Sequence, residues 1–320
     1  MATVLAPESD PPVDTTRARQ PDATGFIERD GVRVFWERYG EGAPTLLLMP
    51  TWSLFHSRHW KFQIPYLARL FRVVTFDGRG NGRSDRPEES AAYADTEYVA
   101  DALAVLEATD THRAVVIGMS MGAGYALRLA AEHPDRVLGA VFIGATIPIL
   151  DRDPATPEIQ VDPSFEEPPT DDSDWGTYYN ANYWRRDYPG FAAWFVGEKV
   201  FTEPHSTKQI DDGIGWALET DADTLVTLEY GSYLSPPEDW EREPADGRAL
   251  LFARRVRCPA LVIHGDDDHI SRWAVGERLA RELHAPFLTI AGGGHAPQAR
   301  WPVLVDRAIR DFVRGLEVSP

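Results

Sequence analysis

From Thr45 onward the chain alternates short apolar runs with longer stretches of helical period. The runs are Leu46-Leu47-Leu48, Val73-Val74-Thr75-Phe76, Ala114-Val115-Val116-Ile117 and Val137 to Ile143, and after a long interruption Ala260-Leu261-Val262-Ile263 and Phe287-Leu288-Thr289-Ile290. None of them alternates apolar with polar residues, so each predicts a strand buried on both faces, the mark of a parallel sheet with helices on either side. Helices are expected at Ala123 to Glu132, stopped by His133-Pro134, around Val275 to Leu283, and near Val303 to Leu316. Ahead of them, Phe26 to Arg29 and Val32 to Trp36 flank Asp30-Gly31, the pattern of a hairpin and hence of an antiparallel edge. The fold class is α/β, with a mostly parallel central sheet.

Two regions break the rhythm. Residues 1–24 carry Pro, Asp, Thr and Ala with few large apolar groups, and read as a disordered tail. Between the sheet's two parts, 25–147 and 254–320, residues 148–253 begin with a run crowded with Pro and acidic residues. They continue with Trp175, Tyr178, Tyr179, Tyr183, Trp184, Phe191, Trp194, Phe195, Phe201 and Trp216. This insertion is expected to be a mostly helical cap over the carboxyl edge of the sheet. Its aromatics would either build the cap's own core or line a pocket for an apolar or aromatic small molecule, with Trp184 a candidate substrate contact.

Composition narrows the function. Of 320 residues, 43% are hydrophobic and 26% charged, as in an ordinary globular protein. Lys plus Arg number 32 against 50 Asp plus Glu, a formal charge of -18, so the mean field repels nucleic acid and anionic lipid, and neither partner is expected. The lone Cys258 cannot form an internal disulfide, and no apolar run near the amino end or elsewhere resembles an export signal or a membrane span. A cytoplasmic location is the expectation.

The chemistry concentrates after three of the strands. Gly118-Met119-Ser120-Met121-Gly122 joins the Ala114 strand directly to a helix. So tight a turn needs small residues two positions either side of the serine, which Gly118 and Gly122 supply, while Gly124 and Ala126 would let the helix sit close to the sheet. His264-Gly265-Asp266-Asp267-Asp268 follows a later strand, and Gly292-Gly293-Gly294-His295 follows the last. His264 and His269 around three aspartates imitate a metal cluster, but adjacent residues rarely converge on one ion, and a solvated loop is the preferred reading. His56, His59, His112, His133, His205 and His284 are read as surface residues. The spaced glycines of Phe76-Asp77-Gly78-Arg79-Gly80-Asn81-Gly82-Arg83-Ser84-Asp85 imitate a phosphate cradle, yet no Lys-Ser/Thr pair follows and Pro87 interrupts the helix such a cradle requires.

With the elbow at Ser120, the glycine-rich loop after the second parallel strand, and the order serine, acid, histidine, the chain resembles the α/β-hydrolase superfamily from Phe26 to Leu316. The resemblance implies Ser120 as nucleophile, His295 as general base and Asp268 as the acid that orients it, with Asp151 as an alternative acid. It implies an oxyanion hole from the Met121 N–H and a second donor after the first parallel strand. There Met49-Pro50-Thr51-Trp52 departs from the usual His-Gly pair, and Thr51 is the expected donor. Trp52 would lie at the pocket mouth or pack in the core. The implied activity is hydrolysis of a carboxylic ester, lactone or thioester with no metal or other cofactor. Amide or carbon–carbon hydrolysis, acyl transfer, or a non-catalytic small-molecule receptor would use the same fold.

Overall fold

The structure is a computed structural model and describes residues 17–150, 163–167, 173–235, 237, 240 and 248–316. The strands are β1 (Ala23–Arg29), β2 (Val32–Tyr39), β3 (Thr45–Leu48), β4 (Arg72–Phe76), β5 (Ala114–Met119), β6 (Val137–Ile143), β7 (Ala260–Gly265) and β8 (Phe287–Ile290). They form one eight-stranded sheet in the order β1-β2-β4-β3-β5-β6-β7-β8. The hairpin β1–β2 and the β2–β4 pair are antiparallel, and every other pairing is parallel. All residues of β3, β5 and β7 are buried, which is why their sequences carry no alternation.

Helices α1 (Gln63–Leu67), α2 (Asp95–Ala108) and α3 (Met121–Glu132) belong to the first part of the core. Between β6 and β7 come α4 (Asp174–Tyr178), α5 (Ala181–Arg186), α6 (Tyr188–Trp194), a π-helical turn Phe195–Val200, α7 (Thr207–Ala217), α8 (Ala222–Glu229) and α9 (Arg248–Ala253). The second part of the core adds α10 (Trp273–Glu282), α11 (Pro297–Arg300) and α12 (Pro302–Leu316). No helix among the described residues is long and apolar enough to cross a membrane.

Part of the expected tail, residues 17–24, is placed against the sheet. Residues 1–16 lie outside the described residues, but Arg17 donates to Glu37 Oε2 at 2.9 Å and to the Tyr39 hydroxyl at 3.0 Å, and Asp22 accepts from the Gly40 N–H at 2.6 Å. Asp22 and Arg17 therefore fasten the chain to the sheet edge, a tie made by single polar contacts that composition does not register. The Pro-rich start of the insertion, including Asp151, lies mostly outside the described residues.

The cap's aromatics make a core of their own. Trp52, from the loop after β3, packs on Tyr179, Trp184, Phe191 and Phe195 at centroid distances of 6.0, 5.9, 6.2 and 5.1 Å. Trp184 is wholly buried, donates its indole N–H to the Tyr178 carbonyl at 3.0 Å and stacks near Phe191 at 4.6 Å. Its surroundings are thus the cap interior, a correction to its expected place as a substrate contact. Trp52 takes the second of its two expected places, with its ring in the same core.

Candidate active site

The sharp turn at Ser120 follows from local crowding. Its backbone has φ 56° and ψ -125°, a conformation that costs a non-glycine residue on the order of 1–3 kcal/mol and persists only because the surroundings impose it. Those surroundings leave no room on either side: a Cβ at Gly118 would overlap the Gly122 carbonyl, and one at Gly122 would overlap the Pro50 carbonyl. The Ser120 N–H is held by the Ile143 carbonyl at 3.0 Å, so β6 steadies the elbow from the other side.

Three side chains from distant parts of the sequence meet here. Ser120 Oγ lies 2.9 Å from His295 Nε2, and His295 Nδ1 lies 2.9 Å from Asp268 Oδ2. The carboxylate is fixed by further donors. Its Oδ1 accepts from the N–H groups of Ile270 at 2.8 Å and Ser271 at 2.9 Å, and its Oδ2 stands 3.1 Å from His264 Nε2. Burial by itself would raise the Asp268 pKa, but the His295 charge and the hydrogen bonds of His264 and His295 outweigh it and hold the carboxyl well below the usual range. With its proton on Nδ1, His295 donates to Asp268 and presents Nε2 to accept from the serine hydroxyl.

The neighbouring aspartates do other things. Asp266 Oδ1 accepts from the Gly292 N–H at 2.7 Å and so ties the two site loops together, while Asp267 is exposed with His269 3.4 Å away. Among the described residues no group of three or more His, Cys, Asp and Glu side chains is arranged to hold a metal ion. His264, read from the sequence as part of a solvated loop, is fully buried, because β7 runs two residues further than the apolar run. Its Nε2 also lies 2.9 Å from the Ser271 carbonyl.

The loop after β3 lies against the elbow, with Thr51 Cα 3.5 Å from the position of a Gly122 Cβ. Neither the Thr51 nor the Trp52 N–H makes a hydrogen bond among the described residues, and the Met121 N–H is one of the free donors of a helix's first turn.

Several residues that the sequence did not single out complete the surroundings. Thr146 Oγ1 is 3.3 Å from Ser120 Oγ. Tyr233, from the end of the cap, donates its hydroxyl to the Thr146 carbonyl at 2.9 Å and the Met121 carbonyl at 3.1 Å. Gly124 makes room for this phenol, rather than for contact with the sheet as the sequence suggested. Glu203, another cap residue, accepts from the Gly294 N–H at 2.8 Å, next to His295. His56 and His59 were expected at the surface, yet both are buried under the cap in and beside the turn Ser57–Trp60. Trp60 and the flanking Phe55 and Phe62 were the available signal. His112, His205 and His284 are exposed.

Beside the site lies a narrow cleft, partly open to solvent, lined in part by Met119 and Ala296, the chain neighbours of Ser120 and His295.

Comparison with known proteins agrees with this architecture. The model of the α/β hydrolase fold family matches residues 44–168. A bifunctional esterase/perhydrolase of Acinetobacter calcoaceticus is 24% identical over 302 residues, covering 91% of this chain and all of the relative. Epoxide hydrolase A of Mycobacterium tuberculosis is 28% identical, over 92% of this chain and 98% of its own. The enol-lactonase of Burkholderia xenovorans superposes with a TM-score of 0.72 at 21% identity, over 91% of this chain and 100% of that one. An eight-stranded, mostly parallel sheet with a serine elbow after β5, together with a family model that matches the part from β3 to β6, leads to one assignment: the chain has the α/β-hydrolase fold.

Proposed function

We propose that this enzyme is a serine hydrolase that cleaves a carboxylic ester, or a lactone or thioester, through a covalent acyl-enzyme. The observation that carries the reading is the continuous relay from Ser120 Oγ through His295 to Asp268, two contacts of 2.9 Å each. A serine hydroxyl attacks a carbonyl only if its proton is removed during attack. His295 takes that proton on Nε2, and Asp268, kept ionised by its donors, stabilises the resulting imidazolium. The carbonyl oxygen becomes an oxyanion facing the N–H groups of Met121 and Thr51, each contributing on the order of 3 kcal/mol. His295 then protonates the leaving group, and water reverses the sequence to release the acid.

Relatives named as an esterase/perhydrolase and an enol-lactonase are in keeping with acyl chemistry. The epoxide hydrolase among them does not transfer easily, because Ser120 stands where an epoxide hydrolase would use an aspartate at the elbow. The substrate is read as a small molecule with an apolar or aromatic part, which the apolar cleft beside Ser120 favours.

The test is a panel of p-nitrophenyl esters, lactones, thioesters and amino-acid amides, with Ser120→Ala alongside, combined with fluorophosphonate labelling located by mass spectrometry. Ester turnover and a label on Ser120, both lost in the variant, are expected. An unlabelled Ser120 with no turnover of any class would leave a non-catalytic receptor as the better account.

A further inference from the structure

We propose that the cleft beside Ser120 receives an aryl arm of the substrate bearing a neutral hydroxyl, and that His59 and Gln298 recognise that hydroxyl. The inference rests on the hydrolase reading for its place in catalysis, but the site stands on its own contacts.

The walls are apolar. Phe55, Phe62, Phe201 and Trp216 face the cleft, and such a surface favours a flat aromatic guest. Four polar side chains interrupt it, Gln209, Asp212, His59 and Gln298, and the last two are the buried ones. His59 is 7% exposed and Gln298 2%, and both line the same space. Both ring nitrogens of His59 and the amide oxygen of Gln298 are buried without any hydrogen-bond partner. The Met49 carbonyl lies near the imidazole and accepts from Trp60 Nε1 at 2.9 Å, which leaves at least one His59 nitrogen and the Gln298 amide oxygen for a guest. Buried polar groups are nearly always paired, so orphaned groups lining one cleft point to a guest that pairs them.

Charge selects the guest's polar group. Burial, with His56 alongside, pushes the His59 pKa down to about 3, so the ring is neutral and offers one donor and one acceptor. A carboxylate would find only Lys61, whose ammonium stands over the Phe62 and Trp216 rings and is already paired with Asp212. An ammonium would find only Asp212, whose carboxylate is already taken by Lys61 and Lys208. A hydroxyl matches what remains: its oxygen accepts from the imidazole N–H, and its proton goes to the amide oxygen of Gln298.

The experiment separates the cleft from the chemistry. Binding of 4-ethylphenol and of ethylbenzene to the full-length Ser120→Ala protein is measured by titration calorimetry, and His59→Phe and Gln298→Leu are introduced in the same background. The phenol is expected to bind about tenfold or more tightly than the hydrocarbon, since a site built to hydrogen-bond a hydroxyl rejects the analogue that lacks it. Each variant should bring the two ligands to within about twofold by removing one partner of the hydroxyl. Equal binding in the parent cleft, or an undiminished preference in both variants, overturns the proposal. If His59→Phe does not fold by circular dichroism, Gln298→Leu decides. Cleavage of p-nitrophenyl acetate by the Ser120 enzyme is followed in parallel: cleavage without phenol preference defeats the cleft alone, and phenol preference without cleavage of any ester defeats the hydrolase reading alone.

Discussion

The Tyr233 hydroxyl occupies the space where a Cβ of Gly124 would be, so a residue at the end of the cap and a glycine one turn into the elbow helix are fitted to each other. The phenol bonds both the Met121 and Thr146 carbonyls, and thereby ties the cap to the turn that holds Ser120. Gly124→Ala sets two effects in opposition. Helix propensity favours alanine by about 1 kcal/mol, whereas overpacking costs about 1–3 kcal/mol. The clash should win, because the displaced phenol also gives up its hydrogen bonds to the elbow and to the Thr146 carbonyl. A lower unfolding temperature and a lower kcat/KM are expected, with Tyr233→Phe milder on both counts. A Gly124→Ala protein that is more stable and fully active would show that the contact is dispensable.

Asp268→Asn should keep the fold yet lower turnover about 10³- to 10⁴-fold, because an amide facing Nδ1 fixes the wrong tautomer of His295. Asp266→Asn and Asp267→Asn should cost far less, the first loosening the bond to the Gly292 N–H and the second touching only an exposed carboxylate. Asp151→Asn, at a position outside the described residues, belongs in the same series. Steady-state kinetics on one ester decides, and a crippled Asp151→Asn beside an active Asp268→Asn would reassign the acid.

Glu203 holds the loop of His295, the proposed base, from the cap side, through its bond to the Gly294 N–H. Glu203→Gln retains an oxygen acceptor and should lower kcat modestly, while Glu203→Ala leaves a buried N–H unpaired, at about 1–3 kcal/mol, and should lower it more. Because the bond positions His295 rather than contacting substrate, KM should change little. Equal rates in the two variants would mean that the acceptor oxygen does not matter.

Two carboxyl groups predict how stability depends on pH. Burial pushes Glu229 up to about 7, against the lowering effect of Tyr179 and Trp52, and likewise raises Asp306 to about 7, against its hydrogen bond from Gln63. A raised folded-state pKa means that the folded form binds protons more tightly than the unfolded chain does. The contribution of each group is therefore complete below the ordinary values of 4.5 and 3.8 and is lost as pH rises through about 7. Chemical denaturation should show stability declining between about pH 5 and 8, a slope that Glu229→Gln and Asp306→Asn each make shallower. A slope unaltered in both variants would count against these two groups as its source.

Activity should be undiminished in EDTA, since in the proposed mechanism an imidazole base and backbone donors supply what a catalytic metal would, a nucleophile and charge stabilisation. Loss on chelation with recovery on adding zinc would return attention to the loop from His264 to His269.

The apolar runs by themselves determined the sheet, because a strand buried on both faces leaves its mark in every residue: β3, β5 and β7 are legible from side-chain type alone. The elbow was legible for a related reason, as backbone crowding at Ser120 is relieved only by glycine at positions 118 and 122. The resemblance to the α/β-hydrolase superfamily, carried by the order serine, acid, histidine, implied Asp268 and His295. What depended on contacts between remote segments was not legible. His264 and His59 read as polar surface residues, and only β7's two extra residues and the lid of the cap bury them. Trp184 read as a substrate contact because an aromatic side chain looks the same in a core as in a pocket, and its neighbours in the cap decided between the two. The cap's ties through Tyr233 and Glu203 are individual hydrogen bonds spanning 87 to 112 residues, a separation at which no local pattern in the chain can announce them.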